Sequence, residues 1–153
     1  MRLTYRHWQD AEADGRWLWE PEFTPREFRC PHCGRLEVDT GFMKRLYGLR
    51  MDFEGPIRVL SGYRCREHPI ERKKGRETLG PHPLARAIDP GIDPADLPKF
   101  LRLAHAHGFT RCGLRLSANH GFQIHLDDLT AAEGFAVRQD GEMQLWLYGC
   151  ADG

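Results

Sequence analysis

The ten residues from Gly80 to Asp89 constrain the fold of this chain more than any other stretch. Within them, His82 and Asp89 are seven residues apart. Seven residues separate two side chains by roughly 10 Å along a straight helix, and by over about 20 Å along a strand, where they also point to opposite faces. Pro81 and Pro83 keep the backbone around His82 out of helical conformation. If the two side chains serve one site, the chain must turn between them.

The residues that follow His82 are expected to complete this turn. Ala85 and Ala87 are small enough to allow a tight return of the backbone. Ala87, Ile88 and Asp89 have the composition of a short buried strand, which Pro90 is expected to end.

A second polar pattern lies on a predicted strand over residues 122–126. Apolar and polar residues alternate there, so Ile124 and Leu126 are predicted to face the core. The polar residues of the same strand, Gln123, His125 and Asp127, are predicted to share the opposite face.

Histidine and aspartate side chains gathered in this way are typical of an open zinc site. Two histidines and one aspartate leave the fourth position of a tetrahedral zinc ion for water, and such a zinc activates water and polarises a carbonyl. Taken singly, each of the eight histidines is more often a surface residue or a hydrogen-bonded core residue than a ligand. The zinc interpretation therefore depends on the joint pattern.

Composition limits the other possibilities. A chain of 153 residues with 41% hydrophobic residues predicts one α+β domain. Lys plus Arg equals Asp plus Glu at 22 each, so no overall field favours nucleic acid or an anionic membrane. No stretch reaches the roughly 18 apolar residues of a membrane span, and the amino terminus has no apolar signal-peptide core. We expect synthesis in a cytoplasm. Oligomeric state is not predicted.

Local patterns predict the helices. Thr24, Pro25 and Glu27 form a capping-box signature for a short helix. Asp39 or Thr40 can cap a core helix that ends before residues 55–56. Its apolar face is Phe42, Leu46, Leu49 and Phe53. A further helix is predicted from residues 93–96 to a C-cap at Gly108. Residues 1–22 are expected to be an amino-terminal arm that packs across the domain or a partner, and residues 23–153 the domain itself.

The strands are predicted from alternation and turn residues. Residues 57–60 should form a strand, and residues 65–80, with their basic cluster at 72–76, an exposed loop. Two hairpins are predicted, one pairing 112–116 with 122–126 and the other pairing 135–137 with 143–148. The basic cluster is interpreted either as a solvated loop or as a site of attraction for anionic cell-wall polymer.

Several motifs, in this order, resemble the zinc D-alanyl-D-alanine carboxypeptidase family. They are Ser61-Gly62-Tyr63-Arg64, then His82 with Ala87 and Asp89 at fixed offsets, then His125-Leu126-Asp127 after a helix ending at Gly108-Phe109. The family includes phage and bacterial peptidoglycan peptidases, among them L-alanyl-D-glutamate endopeptidases, and shares its fold with the hedgehog signalling domain. The resemblance spans about residues 23–129. It implies a central, mainly antiparallel sheet flanked by helices.

The resemblance also implies roles for individual residues. His82, Asp89 and His125 would bind one catalytic zinc ion, and Arg64 would bind a substrate carboxylate or the developing oxyanion. The residues expected to contact substrate are Arg64, Ser61, Tyr63 and Gln123. The partner would be a peptidoglycan stem peptide, reached after lysis or by a phage route.

The chain departs from the family at three positions. Gly80 and Ala85 stand where the family usually has a serine and a glycine. Phe122 stands where several members carry their acidic general base. Asp127 is therefore our candidate for the base or for a residue that orients His125, against the alternative that it caps a turn. Further candidates for the base are Glu67, Glu77 and His120.

Cys30 and Cys33 leave two interpretations open. They can be half of a structural metal site completed by Cys65 or His32, or two reduced, partly buried thiols. A second close cysteine pair is absent from the sequence. A small zinc-ribbon-like interaction protein built on this pair is the least supported function.

We therefore expect a zinc metallopeptidase that hydrolyses a peptide bond in peptidoglycan stem peptides, of the D-alanyl-D-alanine carboxypeptidase or L-alanyl-D-glutamate endopeptidase type. The main alternative is a non-catalytic zinc-binding relative of the same fold that acts as a phage structural or wall-binding protein. The missing acid at position 122 favours that alternative.

Overall fold

A computed structural model describes residues 1–75, 77–117 and 121–148 and shows an α+β fold. Its strands are β1 (Arg2–Tyr5), β2 (Leu36–Asp39), β3 (Arg58–Ser61), β4 (Ala87–Gly91), β5 (Arg111–Ser117), β6 (Gly121–Asp127) and β7 (Gln144–Leu147). Its α-helices are α1 (Trp8–Glu12), α2 (Pro25–Phe28), α3 (Thr40–Phe53), α4 (Pro69–Lys73) and α5 (Leu97–Ala106). Short 3-10 turns lie at Pro94–Asp96 and Ala131–Glu133.

The strands form two sheets. β1 and β2 pair antiparallel, and the larger sheet has the order β3-β4-β6-β5-β7. Its neighbouring strands are antiparallel except β5 and β7, which are parallel. The register places Gly113 of β5 between His125 of β6 and Trp146 of β7. These three residues therefore form one row across the sheet.

The predicted helix caps are present. Thr24 and Glu27 make the capping box of α2. The Asp39 side chain accepts a hydrogen bond from the Phe42 N–H at 2.9 Å and begins α3. Beyond α5, Gly108 has φ +84°, a left-handed conformation that favours glycine. The periodicity and capping signals therefore predicted both long helices correctly.

One face of the larger sheet packs on α3 and α5. Ile124 and Leu126 of β6 are 2% and 0% exposed in the same core as Leu46 and Phe100, which confirms the predicted alternation. Residues 1–22 contribute to this core through Leu3, Tyr5, Ala11, Trp17 and Trp19. The opposite face of the sheet is thus left for polar side chains.

Three predictions of local structure were wrong. Residues 65–80 are not all loop, since Pro69–Lys73 forms α4, whose first turn begins with a proline suited to that position. The strand at Asp89 does not end at Pro90 but continues to Gly91. Residues 135–137 form no strand, and Gln144–Leu147 pairs parallel with Arg111–Ser117 instead of forming a local hairpin. The turn at 118–120 and position 76 of the basic cluster lie outside the described residues.

None of the helices in the described ranges combines the length and the apolar character that crossing a bilayer requires.

Candidate metal centre

The turn predicted between His82 and Asp89 is present. The Leu84 N–H donates to the Gly80 carbonyl at 3.1 Å, and the Ala85 N–H donates to the His82 carbonyl at 3.0 Å. Ala85 has φ +60°, a left-handed conformation that glycine adopts more easily than alanine. The chain then enters β4, which carries Asp89 back beside His82.

His82 is oriented by the backbone behind it. Its side chain is 2% exposed, and its Nδ1–H donates to the Gly62 carbonyl at 2.7 Å. Gly62 itself is packed against α2, because a Cβ there would lie 2.7 Å from the Cα of Phe28. The Nε2 atom of His82 makes no hydrogen bond within the described structure and lies 3.3 Å from Asp89 Oδ1. The lone pair on His82 Nε2 is therefore free to bind a metal ion that Asp89 Oδ1 also binds.

His125 approaches Asp89 from the neighbouring strand. Its Nδ1 atom lies 3.3 Å from Asp89 Oδ1, and its Nε2–H donates to Asp127 Oδ2 at 2.8 Å. Asp127 is 0% exposed, and Arg111 Nε donates to its Oδ1 at 3.0 Å. A hydrogen bond at Nε2 leaves the Nδ1 lone pair of His125 directed toward Asp89.

The three donor atoms fit one metal ion. Ligands at about 2.0–2.1 Å from a tetrahedral zinc lie about 3.3 Å from one another, and both imidazole nitrogens are 3.3 Å from Asp89 Oδ1. All three atoms lie within 4.8 Å of one another. The buried, unpaired Nε2 of His82 is the kind of atom that a metal would satisfy. His82, Asp89 and His125 can therefore hold a metal ion.

The electrostatics of the three groups differ. Burial lowers the pKa of His82, which favours the neutral, ligating form. Burial also disfavours charge on His125, but its hydrogen bonds to Asp127 and Asp89 raise its pKa. Burial would raise the pKa of Asp89, yet the adjacent imidazoles of His125 and His82 hold it well below its ordinary value. Asp89 is thus held as an anion, and any proton on His125 Nδ1 must leave before a metal binds there.

The centre opens into a cavity of about 650 Å³. His82, Asp89 and His125 all belong to its lining. The lining also carries four cationic side chains, Arg64, Lys74, Arg111 and Arg115. Among the described residues, Asp89 is the single carboxylate of the lining. Arg64 and Lys74 pair with Glu71, and Arg111 pairs with Asp127. Among the described residues, Arg115 is thus the lining cation best placed to attract an anionic ligand.

Three of the four residues expected to contact substrate line this cavity, namely Ser61, Arg64 and Gln123. Arg64 is 8% exposed, and its Nε lies 2.9 Å from Glu71 Oε1. Tyr63 does not line the cavity, and its hydroxyl donates to Glu37 Oε1 at 3.0 Å.

The candidates for a general base are placed differently from one another. Asp127 lies behind His125, with its oxygens directed at His125 and Arg111. Glu67 and Glu77 are exposed and do not line the cavity. His120 lies outside the described residues.

Two aromatic residues of the cavity were missed in the sequence. Trp146 lies with its ring centroid 5.6 Å from that of His125, and Tyr148 follows at 6.4 Å from Trp146. Burial raises the pKa of the Tyr148 hydroxyl to about 12. Their two-residue spacing signals a shared strand face, but the parallel pairing that brings this face to His125 has no local signal.

A second cluster of possible metal ligands lies apart from this centre. The sulfur atoms of Cys30, Cys33 and Cys65 lie within 4.8 Å of one another and can also hold a metal ion. The structure thus completes the Cys30–Cys33 pair with Cys65, one of the two residues considered for that role.

Comparisons with family models, curated proteins and solved structures give no match for this chain.

Proposed function

We propose that this protein is a zinc metallopeptidase that hydrolyses a peptide bond in the stem peptide of peptidoglycan. One observation carries the proposal: the imidazole nitrogens of His82 and His125 both lie 3.3 Å from Asp89 Oδ1 at the wall of a cation-rich cavity. When bound, zinc supplies Lewis-acid activation of a carbonyl and of the attacking water.

The cationic lining supports a substrate that carries a carboxylate. Arg64 presents a planar guanidinium next to the centre, with its Nη1 atom 3.9 Å from Asp89 Oδ2. A guanidinium is suited to bidentate carboxylate binding. Arg115 has a buried Nε with no hydrogen-bond partner among the described residues, which an anionic ligand would satisfy. Stem peptides carry free carboxylates at the D-alanine end and on D-glutamate. Substrates of either proposed peptidase would therefore bring a carboxylate into this cavity.

Asp127 is assigned to orienting His125 and not to proton transfer. Its carboxylate is fully buried and already accepts from both His125 and Arg111. A general base must reach the proton that it removes, directly or through one water. A carboxylate behind the imidazole instead fixes the tautomer that leaves Nδ1 free to ligate.

The test is incubation of the zinc-loaded protein with two defined stem peptides, followed by mass spectrometry. Release of D-alanine from a peptide ending in D-alanyl-D-alanine would indicate the carboxypeptidase; a new D-glutamate amino terminus would indicate the endopeptidase. His82→Ala is expected to abolish cleavage and to lose about one zinc ion per chain. His105→Ala, an exposed histidine on α5, is the matched control and should cleave normally.

A second candidate, binding of the wall peptide without cleavage, is favoured by Phe122 and by the single carboxylate of the described lining. Zinc-dependent binding of both peptides with no cleaved product would establish this function and overturn the peptidase. Failure of the His82→Ala variant to lose zinc would contradict both candidates.

A further inference from the structure

The second cluster of ligands comes from two segments of the chain that are far apart in sequence. Cys30 and Cys33 follow α2, whereas Cys65 follows the Ser61–Arg64 segment. Cys30 is 0% exposed, Cys65 is 7% exposed and Cys33 is exposed. All three are free thiols, and their sulfur atoms lie within 4.8 Å of one another.

The turn around Cys30 is shaped to present two sulfurs together. The Cys30 N–H donates to the Arg35 carbonyl, and the Gly34 N–H donates to the Cys30 carbonyl, each at 2.8 Å. Gly34 has φ +75°, and a Cβ there would lie 2.9 Å from the ring of His7. The positive φ therefore favours glycine here, and the turn brings the sulfurs of both cysteines to Cys65.

Backbone donors surround the central sulfur. The Cys65 N–H donates to Cys30 Sγ at 3.3 Å. The backbone N–H groups of His32 and Cys33 are directed at the same sulfur. Donors aimed at a sulfur stabilise the thiolate, which is the form that ligates a metal.

We propose that Cys30, Cys33 and Cys65 bind a structural zinc ion, separate from the His82 centre. Sulfur atoms at about 2.3 Å from a tetrahedral zinc lie about 3.8 Å apart, within the separation found here. Soft thiolates favour zinc over magnesium or calcium. Among the described residues no histidine nitrogen joins the three sulfurs within 4.8 Å, so the fourth ligand is water or, after a side-chain rotation, His32 or His68, the two histidines that adjoin the cysteines in sequence.

The ion would brace the segment that supports the candidate metal centre. Cys30, Cys65, Tyr63 and Ala85 form a small buried cluster separate from the main core. Arg64 immediately precedes Cys65. A cluster of four residues buries little apolar surface, so a metal would supply much of the local stability. Zinc bound through Cys65 would fix the backbone immediately after Arg64.

The first experiment is cobalt substitution of the apo protein. Cobalt bound by thiolates gives an intense sulfur-to-metal charge-transfer absorption that a centre of two histidines and an aspartate lacks. The wild-type protein is expected to show this band, and Cys33→Ser, which changes the exposed ligand, is expected to lose it. Cys112→Ala changes a core cysteine outside the cluster and should retain the band. His32→Ala and His68→Ala report the fourth ligand through changes in the visible d–d bands.

The second experiment needs no variant. Alkylation of Cys33 in the wild-type protein is expected to slow at least about tenfold when zinc is bound and to recover after chelation. Equal alkylation rates with and without zinc, or a disulfide between two of the three cysteines, would overturn the site.

The outcome is independent of the proposed peptidase. His82→Ala should keep the thiolate–cobalt band although it loses cleavage. A protein that binds metal only through the cysteines would thus retain this site and lose the proposed function.

Discussion

The His125 Nε2 atom donates to Asp127 Oδ2 across 2.8 Å, and the accepting carboxylate is completely buried. This bond selects the tautomer in which Nδ1 carries the lone pair, and Nδ1 is the atom that faces Asp89. Arg111 in turn holds the carboxylate from the neighbouring strand. Asp127 is therefore a positioning residue for the candidate metal centre.

Asp127→Asn is expected to weaken zinc binding at this centre by about 10–100-fold. The amide removes the charge behind His125 and can donate to Nε2, which favours the tautomer with a proton on Nδ1. The measurement is a competition titration with a chromophoric chelator, with the step for this centre identified by its loss in His82→Ala.

The adjacent Asp128 provides the control for Asp127→Asn. It is also buried, but it pairs with Arg86 and Arg45 and not with His125. Asp128→Asn should lower stability and leave the zinc affinity within about twofold of wild type. Equal zinc affinities for Asp127→Asn and the wild-type protein would remove Asp127 from the centre.

Gly113→Ala is expected to displace the aromatic side of the cavity. A Cβ at Gly113 would lie 2.8 Å from two ring atoms of Trp146 and 3.0 Å from Tyr148 Cε1. Relieving this overlap should cost about 1–3 kcal/mol of unfolding free energy and move Trp146 away from His125. Urea unfolding monitors the first effect, and tryptophan fluorescence of the folded protein monitors the second.

Gly15→Ala is the matched substitution for Gly113→Ala. Gly15 has nothing within 4 Å of its would-be Cβ, so the free energy of unfolding should change by less than about 0.5 kcal/mol. If the two variants were equally stable, the close packing of Trp146 over Gly113 would be contradicted.

The sequence allowed prediction of the parts of the site that local rules determine. The turn after His82 was predicted from two prolines and two alanines. The side of the sheet on which His125 lies was predicted from the alternation of polar and apolar residues along its strand. Helices α3 and α5 followed from their apolar period and caps. These features depend on residues close together in the chain, so the local order of polar, apolar and turn-forming residues is enough to predict them.

Other parts depend on contacts between distant residues. Strand parity put Asp127 on the same side as His125, but it cannot tell a carboxylate in the cavity from one buried behind the imidazole. The parallel pairing of β7 with β5 brings Trp146 over Gly113, although β6 and a 3-10 turn lie between the two strands in the chain. Cys65 joins Cys30 from 35 positions away. None of these arrangements has a periodic signature.

Ala85→Gly is expected to leave the stability of the protein nearly unchanged. Ala85 has φ +60°, and a left-handed residue with a Cβ costs roughly 1–2 kcal/mol. Glycine removes that strain but adds about 0.5–1 kcal/mol of unfolded-state entropy and loses a buried methyl group worth about 0.8 kcal/mol. The unfolding free energy should therefore change by less than about 0.8 kcal/mol, measured by urea denaturation of the apo protein.

Ala87→Gly separates this effect from a general effect of glycine. Ala87 is a buried residue of β4 without a positive φ. Glycine there should destabilise the protein by about 1 kcal/mol, through strand entropy and the lost methyl group. Destabilisation by Ala85→Gly of the same size would contradict the strain assigned to Ala85.

Zinc binding at the candidate centre is expected to weaken as the pH falls below the pKa of His125. Burial disfavours the charged form of His125, but its bonds to Asp127 and Asp89 outweigh burial and raise its pKa above the ordinary value of 6.5. Protons therefore compete with zinc already above that pH. Below the raised pKa, the apparent affinity should fall about tenfold per pH unit for this one proton. Asp127→Asn removes the strongest of the bonds that raise the pKa, so its affinity should begin to fall at a lower pH than that of the wild-type protein. Chelator competition over a pH series measures both curves, and coincident curves would refute the link between Asp127 and the protonation of His125.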